Sequence, residues 1–263
     1  MNLADSVDPA AAASSAPVAR KGRGARRAER SGGAGSAFGG PNAWLRTPFI
    51  ERGIPSYDIA TEAQVDRVMA AVDRILAEIG IEFRDDPETV ERFRRAGGHV
   101  TQLTPESWNI KFEPGMIRDL CRTAPARFTQ HARNPANTVE IGGTATVFAP
   151  SYGSPFVMDL DRGRRYGTIE DFQNFIKLTY LSPGLHHSGG TVCEPVDLPV
   201  NKRHYDMVYS HFKYSDKPLM GSVTHWRRAQ DTVDMAKIVF GDDFVDQNCV
   251  LTSLINVNSP LLF

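Results

Sequence analysis

Four short stretches carry the side chains best suited to chemistry: Ser151-Tyr152-Gly153-Ser154, Cys193-Glu194, Thr224-His225-Trp226, and Asn256 with Asn258. The last three are a little over thirty residues apart, which is the length of one strand–helix unit. Together they offer one carboxylate, one imidazole, an aromatic face and amides. That set suits the binding of a small polar or cationic ligand better than hydrolysis by paired carboxylates. If Tyr152 lines a pocket, its ring attracts an ammonium group, a contact worth ~1–2 kcal/mol once desolvated. Each residue also has a structural explanation. Glu194 pairs with Lys202 or Arg203 at the next helix start, His225 sits satisfied in the core, and Tyr152 plugs the mouth of a barrel.

Other reactive groups point less clearly to a site. His186, His187 and Cys193 raise zinc binding, but neighbouring residues of a strand face opposite ways and no other short-range ligand pair completes the set. Gly189-Gly190 lacks the surroundings of a phosphate loop or a dinucleotide fingerprint. Cys193 as a nucleophile needs a base that the sequence does not place.

The elements that must hold these residues begin with a helix over Thr61–Ile79, where Val65, Val68, Met69, Val72, Ile75, Leu76 and Ile79 recur at helical spacing. Thr61 with Gln64 forms its capping box and Gly80 ends it. Asp86-Pro87 opens a second helix and Pro114 a third. Extended pieces at Asn109–Phe112, Phe128–His131 and Thr138–Ile141 follow, the last two forming a hairpin. From Thr144 the pattern becomes strand, turn, helix, with strand cores near Val147, Gly189, Met220 and Leu251. A hairpin is inserted at Phe156–Leu160 and Arg164–Tyr166. Intervening helices start at Thr168, Asn201 and Arg227, the second presenting Tyr205, Val208, Tyr209 and Phe212.

This alternation predicts an α/β chain with a parallel sheet. A TIM-type (β/α)8 barrel takes ~250 residues, about twice the segment from Thr144 to Phe263. The expectation is therefore a barrel truncated to about its first four strands. Residues 1–43 read as a disordered basic Ala/Gly/Arg-rich tail, 44–143 as an N-terminal α+β elaboration, and 144–263 as the first half of the barrel. The alternative is a doubly wound four-strand domain with a bare edge. In either case the candidates fall at the C-terminal ends of strands, where barrel enzymes keep their chemistry.

The chain of 263 residues is 41% hydrophobic and 23% charged, with 30 basic against 31 acidic side chains and three cysteines. No run reaches the ~18 apolar residues of a membrane span. Three scattered cysteines exclude a disulfide scaffold and fit a reducing, cytoplasmic setting. Near-neutral charge excludes general nucleic-acid binding. The arginines clustered at 20–30 read as a solvated tail, a basic arm or a transit peptide.

Phe148-Ala149-Pro150-Ser151-Tyr152-Gly153-Ser154-Pro155, Asp159 with Gly163-Arg164-Arg165, Thr168-Ile169-Glu170-Asp171-Phe172 and Lys177-Leu178 resemble the trimethylamine methyltransferase family. So do Gly189-Gly190, Glu194 through Pro199, Asp216-Lys217-Pro218 and Asn256 through Pro260. The resemblance runs over about residues 44–263. It implies a TIM barrel of roughly twice this length, a homo-oligomer when complete, that moves a methyl group from trimethylamine or a quaternary amine such as glycine betaine. The acceptor it implies is the cobalt of a corrinoid held by a separate cognate protein, with no cofactor or metal bound to the enzyme itself. Members with pyrrolysine would carry it beyond Phe263, and the bacterial-looking tail favours the quaternary-amine branch. Tyr152, Glu194, His225 and Asn256 are expected to border the amine pocket, and a fragment is expected to show little activity alone. Two other readings stay open: a non-catalytic binding protein built on a half barrel, and a metal-dependent barrel hydrolase using His186 or His187.

Overall fold

The computed structural model describes residues 47–222, 224–255 and 261–263. The basic tail and Asn256 lie outside them, as do Asn258 and the closing Ser259-Pro260. The described chain is a mixed α/β structure of several sheets with helices packed on them.

After a short strand β1 (Ile50–Glu51), helix α1 (Glu62–Glu78) starts at the expected capping box, with the Thr61 N–H donating to Gln64 Oε1 at 2.8 Å. Strand β2 (Ile81–Arg84) leads to α2 (Pro87–Arg95), whose cap Asp86 accepts from the Thr89 N–H at 3.0 Å. A hairpin of β3 (His99–Thr104) and β4 (Ser107–Lys111) completes an antiparallel sheet of order β2-β4-β3. Its core is wholly apolar: Phe83, Val90, Ile110 and Phe112, with Leu76 of α1 against it. Helix α3 (Met116–Cys121) then precedes a second antiparallel sheet built on the expected hairpin of β5 (Arg127–Gln130) and β6 (Val139–Gly142).

The stretch around Val147 departs from expectation. Strand β7 (Ala145–Thr146) does not open a parallel series; it pairs antiparallel with Gly142 on one side and with β1 on the other. Gly142, which ends β6, and Gly143, the first residue of the two-residue loop Gly143-Thr144, take φ of +102° and +58°, values that glycine accommodates easily and that reverse the chain. Val147 therefore marks the exit from an antiparallel sheet.

Beyond it, the expected hairpin forms from β8 (Phe156–Asp159) and β9 (Gly163–Tyr166). Three helices follow, α4 (Ile169–Leu181), α5 (Arg203–Tyr214) and α6 (Trp226–Phe240). Strand β10 (Leu219–Met220), lying between α5 and α6, is parallel to β11 (Leu251–Thr252), and a short α7 (Asp242–Gln247) precedes β11. The segment near Gly189 is not a regular strand, and Gly189 itself takes φ +84°. It joins β10 through Ser188 N–H to Pro218 O and Met220 N–H to Gly189 O, each 2.8 Å. Its other side meets Phe148, whose carbonyl accepts from the His186 and His187 N–H groups at 2.9 and 3.1 Å. Phe148, His186–Gly190, β10 and β11 thus lie in one hydrogen-bonded succession, and the described residues form no closed barrel.

Helix α5 buries Val208 and Phe212 of the face expected for it but not Tyr205 and Tyr209. His204, Met207, Val208, His211 and Phe212 face inward, while Tyr205 and Tyr209 are exposed. Two imidazoles take core positions with polar partners: His204 Nε2 meets Asp231 of α6 at 2.8 Å, and His211 meets the segment around Gly190.

Candidate functional site

The residues after Phe148 and those after Gly190 are stitched loop to loop. Gly153 N–H donates to Thr191 O at 2.7 Å, and Glu194 N–H donates to Ser154 O at 2.9 Å. Tyr152 and Glu194, expected to share a site, are thereby brought to one rim. Tyr152, 46% exposed as a residue, sets an edge of its ring on Gly190: a Cβ there would come within 2.8 Å of its Cε2 and 2.9 Å of Met220 Cβ. Glycine at 190 therefore makes the floor on which the ring rests, leaving part of the aromatic surface open to solvent.

Glu194 is held by Arg203, whose Nη1 donates to its Oε1 at 2.5 Å while Nη2 donates to Leu198 O at 3.0 Å. The pairing read from sequence as its structural explanation is thus present. His225 is the N-cap of α6, its Nδ1 accepting from the Arg227 N–H at 3.2 Å, with its ring stacked on Trp226. Both are exposed, so the core-histidine explanation does not hold. Among the described residues no hydrogen bond or ring contact joins His225 to Tyr152 or Glu194. Asn256 lies outside the described residues.

Beneath this rim is a buried polar layer. His211 Nε2 donates to Gly190 O at 2.9 Å, and the Ser188 hydroxyl donates to His211 Nδ1 at 2.7 Å. That assignment follows from the carbonyl, which can only accept. His187 Nδ1 accepts from the Gly189 N–H at 2.9 Å, leaving Nε2 to donate to Gln130 Oε1 at 3.2 Å. Gln130, fully buried, sends its amide on to Leu219 O at 2.9 Å. Burial lowers the His211 pKa to about 4 and that of His187 to about 3, the latter lowered further by the neighbouring His211. Both rings are neutral struts with both nitrogens spent, and His211 directly anchors the glycine under Tyr152. The Ser188–His211 pair has the atoms of a nucleophile and base but is fully buried, with its outer nitrogen committed to backbone.

The zinc reading fails on the same geometry. His186 Nδ1 accepts from Phe148 N–H at 3.0 Å, His187 has no lone pair left, and no group of three His, Cys, Asp or Glu gathers among the described residues. Cys193 is buried, and desolvation together with Asp171 and Glu194 pushes its thiol up to about 12, away from nucleophilic use.

Asp171 anchors the β8–β9 hairpin to the start of α4. Its oxygens accept from Arg165 at 2.5 and 2.7 Å and from the Thr168 hydroxyl at 2.8 Å; Arg165, then burial opposing it, then Thr168 set a carboxyl held well below the usual range. Lys217 serves a comparable purpose elsewhere, donating to the carbonyls of Thr179, Ser182 and Leu185 where α4 ends.

Gln130 and His211 were not singled out from sequence. Gln130 shares a strand face with Phe128 two residues earlier, so a polar group on an inward face was the available signal. For His211 the signal was its spacing, one residue before Phe212 and seven after His204 on one side of α5.

A family model described as trimethylamine methyltransferase (MTTB) matches residues 19–263. Glycine betaine methyltransferase of Desulfitobacterium hafniense (strain Y51) is 44% identical over 211 residues, 80% of this chain and 43% of that protein. The chain thus spans less than half the length of the curated relative it matches.

Proposed function

Because the chain belongs to the trimethylamine methyltransferase family, we propose that the complete protein demethylates a quaternary amine of the glycine betaine type, passing the methyl group to the cobalt of a corrinoid carried by a separate protein. In this reading Phe148, His186–Gly190, β10 and β11 are the first members of a (β/α)8 barrel, and the Tyr152 rim is its mouth. Tyr152, Glu194, His225 and Asn256 border the pocket.

The observation that carries the choice of substrate is the open ring of Tyr152 on Gly190 beside a carboxylate already engaged by Arg203. A quaternary ammonium has no N–H and asks for an aromatic face. Trimethylammonium keeps one N–H and asks for an acceptor, and Glu194 Oε1 is already taken by Arg203. The similarity to a glycine betaine methyltransferase supports the same choice.

The corrinoid enters as a co-substrate, not as a group held by this chain. Cobalt(I) attacks the methyl carbon opposite the C–N bond; the new Co–C bond takes the metal's electron pair, and the C–N pair stays on nitrogen. Glycine betaine leaves as neutral-nitrogen dimethylglycine, and cobalt becomes formally Co(III). No proton moves. The chain's task is to orient the methyl group and exclude water. The positive charge leaves nitrogen during transfer, so the Tyr152 contact weakens toward the transition state and chiefly serves binding. Tyr152→Leu is thus expected to raise KM for the amine with kcat unchanged or higher. Three free cysteines and a cobalt(I) acceptor both suit a reducing cytoplasm.

The test mixes the complete protein with reduced corrinoid protein and a panel of tertiary and quaternary amines, following methyl-cobalt formation by absorbance. Glycine betaine should give methyl-cobalt and dimethylglycine in equal amounts. Methylation from trimethylamine alone, or from none of the amines, contradicts the proposal.

A further inference from the structure

The β8–β9 hairpin has two unlike faces. Inward, Val157 enters the core and Arg165 is clamped by Asp171 and Asp159. Outward, cross-strand pairs set Phe156 opposite Tyr166 and Met158 opposite Arg164. The Phe156 and Tyr166 rings are 4.8 Å apart, and the Arg164 guanidinium lies 3.8 Å above Phe156. Met158 is 79% exposed and Leu160, at the turn, is fully exposed. Packing among the described residues gains little from these two side chains, and a two-stranded hairpin ordinarily turns polar residues to solvent.

Charge separates Arg164 from its neighbours. Arg162 and Arg165 both pair with Asp159 and Asp171, whereas Arg164 has no carboxylate partner among the described residues. A guanidinium held flat on a ring, without an anion, among exposed apolar side chains, is complementary to a carboxylate set in an apolar patch.

The position of the face adds the occupant. Gly167 N–H donates to Pro155 O at 3.1 Å and Val196 N–H to Gly167 O at 3.0 Å, so the hairpin root joins the loops that carry Tyr152 and Glu194. A macromolecule that delivers an acceptor atom to a methyl group at Tyr152 must come down over this rim. We propose that the outer face of the β8–β9 hairpin docks the corrinoid-bearing acceptor protein, burying Met158 and Leu160 and pairing Arg164 with an acceptor carboxylate. The proposal rests on the methyl-transfer reading above.

The complete protein, with Leu160→Asp, Arg164→Glu and Arg164→Lys variants, is tested in two assays: direct binding to the cobalamin-loaded acceptor protein, and methylation of free cob(I)alamin, which needs no docking. Leu160→Asp and Arg164→Glu should weaken binding at least tenfold, Arg164→Lys less, with free cob(I)alamin methylated at wild-type rate by all three. Unchanged binding in both charge-altering variants overturns the docking surface while leaving methyl transfer standing. So does a wild type that fails to bind the acceptor, or a hairpin variant whose only change is in self-association. Loss of methyl transfer with both acceptors in the wild type, alongside variant-sensitive binding, sinks the reaction and leaves the docking surface intact.

Discussion

Between Ile81 and Thr146 most strands pair with a near neighbour through a short turn, over a core of phenylalanine, valine and isoleucine. After Phe148 the parallel segments that meet come from successive strand–helix repeats, and beside apolar clusters such as Val157, Phe172 and Ile176 the interior holds His186, His187, Ser188, His204, His211 and Thr232, joined by Gln130 reaching over from β5. The first region is an apolar scaffold built from local signals. The second spends buried polar groups on holding short parallel segments and the glycine under Tyr152 in place. The Ser188–His211–Gly190 and His187–Gln130–Leu219 links have their polar atoms paired, and such networks are costly to disturb.

The largest effect expected from this difference is acid sensitivity confined to the second region. The folded pKa values of His187 and His211, about 3 and about 4, lie below the ordinary 6.5 of the unfolded chain. Between these values the unfolded state binds more protons, so stability is complete above pH 6.5 and is lost as pH falls. At pH 5 the two together should cost about 4 kcal/mol. Hydrogen exchange at pH 7.5 and 5 should show protection lost around Gly189 and Met220 before Phe83 and Ile110; loss in the reverse order would break the comparison.

Gln130→Ala is next, at about 3 kcal/mol by denaturant unfolding, because it strands His187 Nε2 and the Leu219 carbonyl in the interior. A loss below about 1 kcal/mol would mean that water replaces the carboxamide. In the scaffold, Gly142→Ala should cost about 2 kcal/mol, its φ being positive and its Cβ directed at the Ala126 carbonyl. That cost should leave the histidine pKa values, measured by NMR, where they were. Thr61→Ala, removing one half of the α1 capping box, should cost about 1 kcal/mol in thermal unfolding.

The same contrast governs what could be read from sequence. Capping boxes, proline starts and the β5–β6 and β8–β9 hairpins were legible because each signal sits within a few residues of its effect. Gly142-Gly143 was also local, but the apolar run after it looked like the start of a strand repeat and hid the turn. The candidate site was legible only as positions at strand ends. The Glu194–Arg203 pair was among the alternatives, whereas the seating of Tyr152 on Gly190 and its support by His211 depend on contacts between distant segments. Gln130 is the extreme case, its partners lying 57 to 122 residues away.

The central claim is that the Tyr152 ring seats a quaternary ammonium. Calorimetric titration of the complete protein, wild type and Tyr152→Leu, with glycine betaine and with its uncharged-carbon isostere 3,3-dimethylbutanoate tests it directly. Loss of a desolvated cation–π contact predicts roughly tenfold weaker betaine binding in the variant, with the isostere's affinity unchanged. Equal weakening of both ligands, or of neither, would contradict it.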